Sequence, residues 1–343
     1  MEIARIDITI SEDDIFNGAR QILNVIRPTW RPEQIKYKML TDGITNKLVK
    51  CSLSDTSDAV LVRVYGNKTD LLIDRTAETR NIVMLNKVGL APNLYATFNN
   101  GLAYEFVPGC TLCDESVIKP EIYPLVARKM GRLHRVEFED SRDTEPMLWR
   151  KLDDFLKLVP ERFSDAAKHE KYLQTVLPKD EIRNEIEFLK ERLLQLQSPI
   201  VFTHNDLLLG NVVYTASNES VTFIDFEYAA FNYQAFDIGN HFSEFVGLDS
   251  IDYAKYPGKE FQYAWLKEYL TVFKKGEVSD EDVERLYVQV NQFALASHVF
   301  WGVWALIQAE HSYIDFDFMG YAAIRFNEYF SRKEQFLSLE MPR

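Results

Sequence analysis

At 343 residues the chain can form one large domain or two lobes with substantial cores, and its 46% hydrophobic and 27% charged residues describe a globular protein, not a disordered one. A formal charge of −13 argues against partners that need a Lys/Arg-rich surface, so neither nucleic acid nor an anionic membrane is expected as a non-specific ligand. Three cysteines, Cys51, Cys110 and Cys113, are too few and odd in number for a disulfide framework, which fits a reducing compartment.

The opening MEIARIDITISEDD lacks the basic region and apolar core of a signal peptide. Ser11 followed by Asp14 matches a capping box, and Ile15, Ala19, Ile22, Leu23 and Ile26 recur at helical spacing until Pro28 ends the run. Strand-like segments follow: IKYKML, then the Asp42-Gly43-Ile44-Thr45-Asn46 turn, KLVKCSL, and AVLVRVYG. A helix is expected from about Asp74 to Lys87. PNLYATF, the Asn100-Gly101 turn and LAYEFV then read as a hairpin. Beyond Pro108-Gly109 helical patterns dominate, near residues 120–137, 146–158, 179–197, 259–275, 279–310 and 319–330. The longest apolar stretch, Phe293 to Ala309, is interrupted by Ser297, His298 and Gln308 and falls short of the ~20 residues of a membrane span, so it reads as a buried helix. A cytoplasmic α+β protein is expected, divided into a strand-rich amino lobe, 1–108, and a mainly helical carboxy lobe, 109–343.

Within the second lobe, Thr203 to Glu227 carries the most specific pattern. Asp206 and Asn211 stand five apart in HNDLLLGN, and Asp225 follows in Ile-Asp-Phe-Glu, with β-branched and aromatic runs between them. Phosphoryl transfer to an alcohol needs a carboxylate that accepts the hydroxyl proton and hard oxygen ligands that hold magnesium on the nucleotide. Asp206 fits the first task; Asn211 and Asp225 fit the second. An ordinary turn explains either fragment alone, but not both in this order.

Arg63 lies mid-strand among apolar residues, where a cation needs a partner or an anion. Glu78 on the following helix is the expected partner, and the pair is read as a phosphate clamp; a sheet-edge arginine in water is the alternative. The turn ending at Asn46 could lay backbone N–H groups over phosphates or be a plain hairpin. Trp301 and Trp304, three apart on a helix, share a face. Core packing is the ordinary meaning of such a pair. His241 and His298 read as core histidines, and Cys110-Thr-Leu-Cys113 as a coincidental redox spacing.

DGITNK, VLVRVYGNKTDLL, FNNGLAYEFVPG, HNDLLLGN, FIDFEYAAFNYQAFDIGNHFSEF and VNQFALASHVFWGVWALIQA together resemble the choline/ethanolamine kinase family, most closely its ethanolamine kinases, from about Lys36 to Phe330. The resemblance implies a bilobal protein-kinase-like fold, ATP as donor, Mg²⁺ as cofactor and a small amino alcohol as acceptor. It implies the same roles for Asp206, Asn211, Asp225, Arg63 and Glu78, and places the adenine-contacting hinge near Tyr104, Glu105 and Val107. Glu244 matches the family's ammonium-binding acid, and Trp301 and Trp304 become aromatic faces for the same cation. His204 and Asp237 are expected to support the catalytic loop.

Choline kinases carry Gln two residues after the base and a Tyr- and Trp-rich segment after the ammonium-binding acid. This chain has Leu208 at the first place and Phe245 to Leu248 at the second, which favours ethanolamine. A choline or dual-specificity kinase, an inert kinase-fold binding protein and an aminoglycoside phosphotransferase are the alternatives. Some relatives form dimers, so a homodimer stays open.

Overall fold

The structure, a computed structural model, describes residues 3–40, 47–53, 58–66, 72–138, 145–247 and 250–342. The turn from Asp42 to Asn46, expected to cover phosphates, and Leu248 lie outside the described residues. The chain divides into two units, Met1–Cys110 with Thr222–Glu227, and Thr111–Val221 with Tyr228–Arg343.

The first unit is built on a six-stranded sheet. Its elements in chain order are β1 (Ala4–Ile6), α1 (Ile15–Ile26), β2 (Ile35–Leu40), β3 (Lys47–Leu53), β4 (Ala59–Val64), α2 (Arg75–Lys87), β5 (Leu94–Phe98) and β6 (Gly101–Glu105), with strand order β1-β5-β6-β4-β3-β2. All neighbours are antiparallel except β1, which adds parallel to β5; three residues are too few to announce a strand in the sequence. Strand alternation divides β4 between two faces. Val60, Val62 and Val64 enter the core with Ala19, Ile22 and Leu23 of α1, leaving Arg63 on the opposite face. Asp74 caps α2 by accepting from the N–H groups of Thr76 and Ala77, which fixes Glu78 in its first turn.

The second unit carries α3 (Asp114–Val117), α4 (Tyr123–Leu133), α5 (Met147–Leu158), α6 (Ala166–Thr175), α7 (Lys179–Leu194), α8 (Gln234–Ser243), α9 (Lys259–Phe273), α10 (Asp280–His311) and α11 (Phe318–Leu337). The short strand β7 (Cys110–Thr111) precedes α3, and β8 (Ile200–Thr203), β9 (Val212–Thr215), β10 (Ser220–Phe223) and β11 (Ala230–Tyr233) lie between α7 and α8. β8 and β11 pair antiparallel, and the segment from Thr203 to Asn211 leaves the end of β8. Ser279 and Asp282 form a reciprocal cap that starts α10. The 32 residues of α10 are long and apolar enough to cross a membrane, but its most apolar window is wholly buried within the protein, against α8 and α11.

All ten residues of α8 are buried. Its polar face, Asp237, Asn240 and His241, is buried like the rest, so these ten residues do not read as a helix with a solvent-facing side. It packs almost backbone to backbone on α10: a Cβ at Gly239 would lie 2.7 Å from the Val290 carbonyl oxygen and 3.0 Å from the Ala294 nitrogen. Gly239→Ala should push the two helices apart at a cost of about 1–3 kcal/mol. A lowered urea midpoint is the expected result, and an unchanged one would contradict this packing.

Candidate active site

In the first unit, Arg63 is 2% exposed and meets three carboxylates. It pairs with Glu78, donates to Asp225 Oδ1 at 2.5 Å and lies 3.5 Å from Glu227 Oε2. Arg75 bridges Glu78 and Glu227, both at 2.9 Å, with its guanidinium 3.8 Å from the Tyr65 ring centroid. Two cations thus face three anions. Burial, together with Asp225 and Glu78, outweighs the arginines and pushes the Glu227 carboxyl up to about 7. Carboxylate oxygens of Glu78, Asp225 and Glu227 fall within 4.8 Å of one another, a hard donor set with surplus negative charge that suits magnesium. Asp225 itself adopts a left-handed backbone, φ +64°.

The sequence pointed Arg63 at phosphate; its immediate partners here are carboxylates. Tyr104 and Glu105 lie on β6 and Val107 just beyond it. The Glu105 carboxylate accepts from Asn93, 2.6 Å from its side-chain nitrogen.

In the second unit, three residues on one face of α8 hold the loop around Asp206. Asp237 accepts from the backbone N–H of His204 at 2.9 Å and of Asn205 at 2.6 Å. His134 Nε2, 2.9 Å away, donates to the same carboxylate, and Tyr269 lies 2.6 Å from His134 Nδ1. Burial works against the Asp237 charge, yet these bonds and the nearby histidines hold its carboxyl below the usual range. Asn240 Nδ2 donates to the Asn205 carbonyl at 3.1 Å. His241 donates from Nδ1 to the Leu207 carbonyl at 2.8 Å, so this histidine clamps the loop as well as filling the core. Burial pulls its pKa down to about 4.

Asn205, the residue before the expected base, is fully buried with φ +66°. Its side-chain nitrogen donates to the Tyr228 carbonyl at 2.9 Å and its side-chain oxygen accepts from Asn232 at 2.8 Å. Asn211 donates from Nδ2 to the Asp206 carbonyl at 2.8 Å, which turns its Oδ1, the end suited to a metal, away from that carbonyl.

Trp301 and Trp304 meet edge to face, with centroids 5.5 Å apart, and Tyr228 and Phe318 extend the aromatic surface. Trp301 Nε1 donates to Asn240 Oδ1 at 2.7 Å and Trp304 Nε1 to Tyr228 Oη at 2.9 Å. Glu244 accepts from Arg325 at 3.1 Å. Arg325 is buried and also donates to Ser297 and Tyr321. Burial raises the pKa of the Tyr321 hydroxyl; Arg325 opposes this, while Glu244 and Asp206 add to it. Both carboxylates thus act on one hydroxyl. Phe245 packs against His241, Phe242 and Phe261 in the core.

The sequence profile of the family described as choline/ethanolamine kinase matches residues 37–330. The chain belongs to the choline/ethanolamine kinase family. It is 47% identical to the ethanolamine kinase of Drosophila melanogaster, over 97% of this chain and 80% of that protein, and 48% identical to ethanolamine kinase 2 of Homo sapiens, over 99% and 87%. The solved ethanolamine kinase of Plasmodium vivax is similar with a TM-score of 0.83 at 28% identity, covering 94% of this chain and 89% of that one. The family relationship makes the chain a phosphotransferase with a protein-kinase-like fold, and implies ATP as phosphoryl donor.

Sequence reasoning singled out neither Arg75, Glu227, Asn205, Asn240 nor Arg325. Glu227 was within reach, two residues beyond Asp225 in Ile-Asp-Phe-Glu. Arg325 gave no signal, since its carboxylate partner is 81 residues away.

The buried histidines make stability pH-dependent. His241 titrates at about 4 when folded and near 6.5 when unfolded, so the unfolded chain binds the proton first as pH falls. Stability present above pH 6.5 is withdrawn on the way to pH 4, on the order of 2 kcal/mol between pH 7 and pH 5. His298, held neutral first by burial and then by Arg325 and Arg332, acts with the same sign. In urea titrations at the two pH values, His241→Asn should lose less stability than the parent by about that amount. Equal losses would contradict the assignment.

Proposed function

We propose that the protein transfers the γ-phosphoryl group of ATP to the hydroxyl of ethanolamine, giving O-phosphoethanolamine and ADP. The observation that carries this reading is the buried Glu244 carboxylate, in the unit that also bears Asp206 and the edge-to-face pair Trp301 and Trp304. One carboxylate suits a base and the other an ammonium group. The named relatives, which are ethanolamine kinases, favour the same acceptor.

In this reading Asp206 orients the ethanolamine hydroxyl and takes its proton as the oxygen attacks the γ-phosphorus and the bond to the β-phosphate oxygen breaks. Glu244 and the tryptophan faces bind the ammonium end. Asn211 and Asp225 are the proposed magnesium ligands, and Glu227 lies close to Asp225. When bound, the ion neutralises phosphate charge. Arg63, with Glu78, orders the nucleotide end through Asp225, and Tyr104 to Val107 face the adenine. His204 and Asp237 keep the base in register.

Ethanolamine offers N–H donors that a carboxylate can accept, whereas a trimethylammonium offers none. Glu244 therefore favours the primary amine. Leu208, in place of the glutamine of choline kinases, and the burial of Phe245 and Val246 in the core withhold further polar and aromatic contacts from a larger cation.

Asp206→Ala should lower ethanolamine-dependent ADP release by about 10²–10⁴-fold, while ATP affinity measured by calorimetry stays within about threefold. Near-normal turnover in this variant would remove Asp206 from the role of base.

A further inference from the structure

The residues of the proposed acceptor site and the catalytic loop are joined by buried hydrogen bonds, and the longest connected set of them runs through one side chain. Asn240 is fully buried, and each of its side-chain bonds leads to one of these two places. Its Oδ1 accepts from Trp301 Nε1 and from Ser297 Oγ, both at 2.7 Å. Its Nδ2 donates to the carbonyl of Asn205, the peptide that leads into Asp206. From Ser297 the chain continues to Arg325 at 3.0 Å, and from Arg325 to Glu244 at 3.1 Å. The aromatic and carboxylate walls of the pocket are thereby tied to the base.

A second tether runs parallel to the first. Trp304 bonds the Tyr228 hydroxyl, and the Tyr228 carbonyl accepts from the Asn205 side chain. Both tryptophans are therefore referred to Asn205, one through its carbonyl and one through its amide. The carboxamide of Asn240 can make these bonds in only one orientation, since Trp301 Nε1 offers a donor and the Asn205 carbonyl an acceptor. Neither rotation nor lengthening is available without leaving a buried polar group unmet.

We propose that Asn240 is a positioning residue that sets the reach of the acceptor pocket, holding Trp301 at a fixed separation from the catalytic loop so that a two-carbon amino alcohol, and not a longer one, brings its hydroxyl to Asp206. This rests on the ethanolamine reading above and adds to it the determinant of acceptor length. A rigid separation rewards one chain length because reaction falls steeply when the attacking atom is misplaced. Loosening it costs the matched substrate most and the longer one least. A residue that merely stabilised the fold would reduce both alike.

The test compares ethanolamine with 3-amino-1-propanol in the full-length protein and in two variants. Asn240→Ser shortens the side chain and breaks the tether, and Asn240→Asp keeps its shape and the acceptor facing Trp301 while replacing the Nδ2 donor to the Asn205 carbonyl with oxygen. The parent should prefer ethanolamine by more than about tenfold in kcat/KM. Each variant should lose about tenfold on ethanolamine, mainly in kcat, with the KM for ATP held within about twofold and the preference reduced to about threefold or less. If Asn240→Ser fails to fold, Asn240→Asp decides alone. A parallel loss on both alcohols, or an unchanged preference, overturns the assignment of Asn240 while leaving the ethanolamine reading in place. A parent that does not phosphorylate ethanolamine at all takes down both.

Discussion

The residue that precedes Asp206 is held in the left-handed backbone conformation, which asparagine tolerates better than other side-chain-bearing residues but at some cost, and much of the second unit's buried polar network meets at it. A left-handed, non-glycine residue in a buried site is strained by about 1–3 kcal/mol and persists only when neighbouring groups over-determine it. Asn205 is over-determined at its N–H, its carbonyl and both side-chain polar atoms, by Asp237, Asn240, Tyr228 and Asn232. With Asn205 fixed, the direction of Asp206 follows. The fully buried α8 supplies Asp237, Asn240 and His241 from a single face, and Gly239 permits the close approach to α10 that seats it.

The first unit follows a related rule with charges in place of backbone strain. Arg63 and Arg75 neutralise most, but not all, of the charge on Glu78, Asp225 and Glu227. Buried carboxylates at this density are costly unless paired. The residual negative charge, and the upward shift at Glu227, is what a divalent cation would relieve. The proposed acceptor site uses a related device: Glu244 is buried with Arg325 3.1 Å away on one side, and a carboxylate paired on one side can still accept from an incoming ammonium on another.

Legibility in the sequence tracked how local each signal was. Asp206, Asn211 and Asp225 stand out in the sequence because they fall within twenty residues and phosphoryl transfer to an alcohol calls for those types. The sheet strands, α1, α2, α5, α7, α9 and α10 were readable from their periodicity and punctuation. α8 was not, since it is only ten residues long and its polar face is buried with the rest, and β1 and α6 were too short or too weakly patterned. Trp301 and Trp304 are buried yet keep a small exposed surface, so spacing alone could not choose between a core and a binding role. Asn240 and Arg325 reach partners as far as 61 and 81 residues away, and no local pattern encodes such contacts.

The identity of the acceptor is the point on which everything above converges. Purified protein given ATP, magnesium and equal concentrations of ethanolamine and choline, with the phosphorylated products resolved by ³¹P NMR, reads it directly. Phosphoethanolamine should accumulate as the dominant product. Phosphocholine formed at an equal or greater rate would contradict the assignment of Glu244, Leu208 and the paired tryptophans to a primary amine.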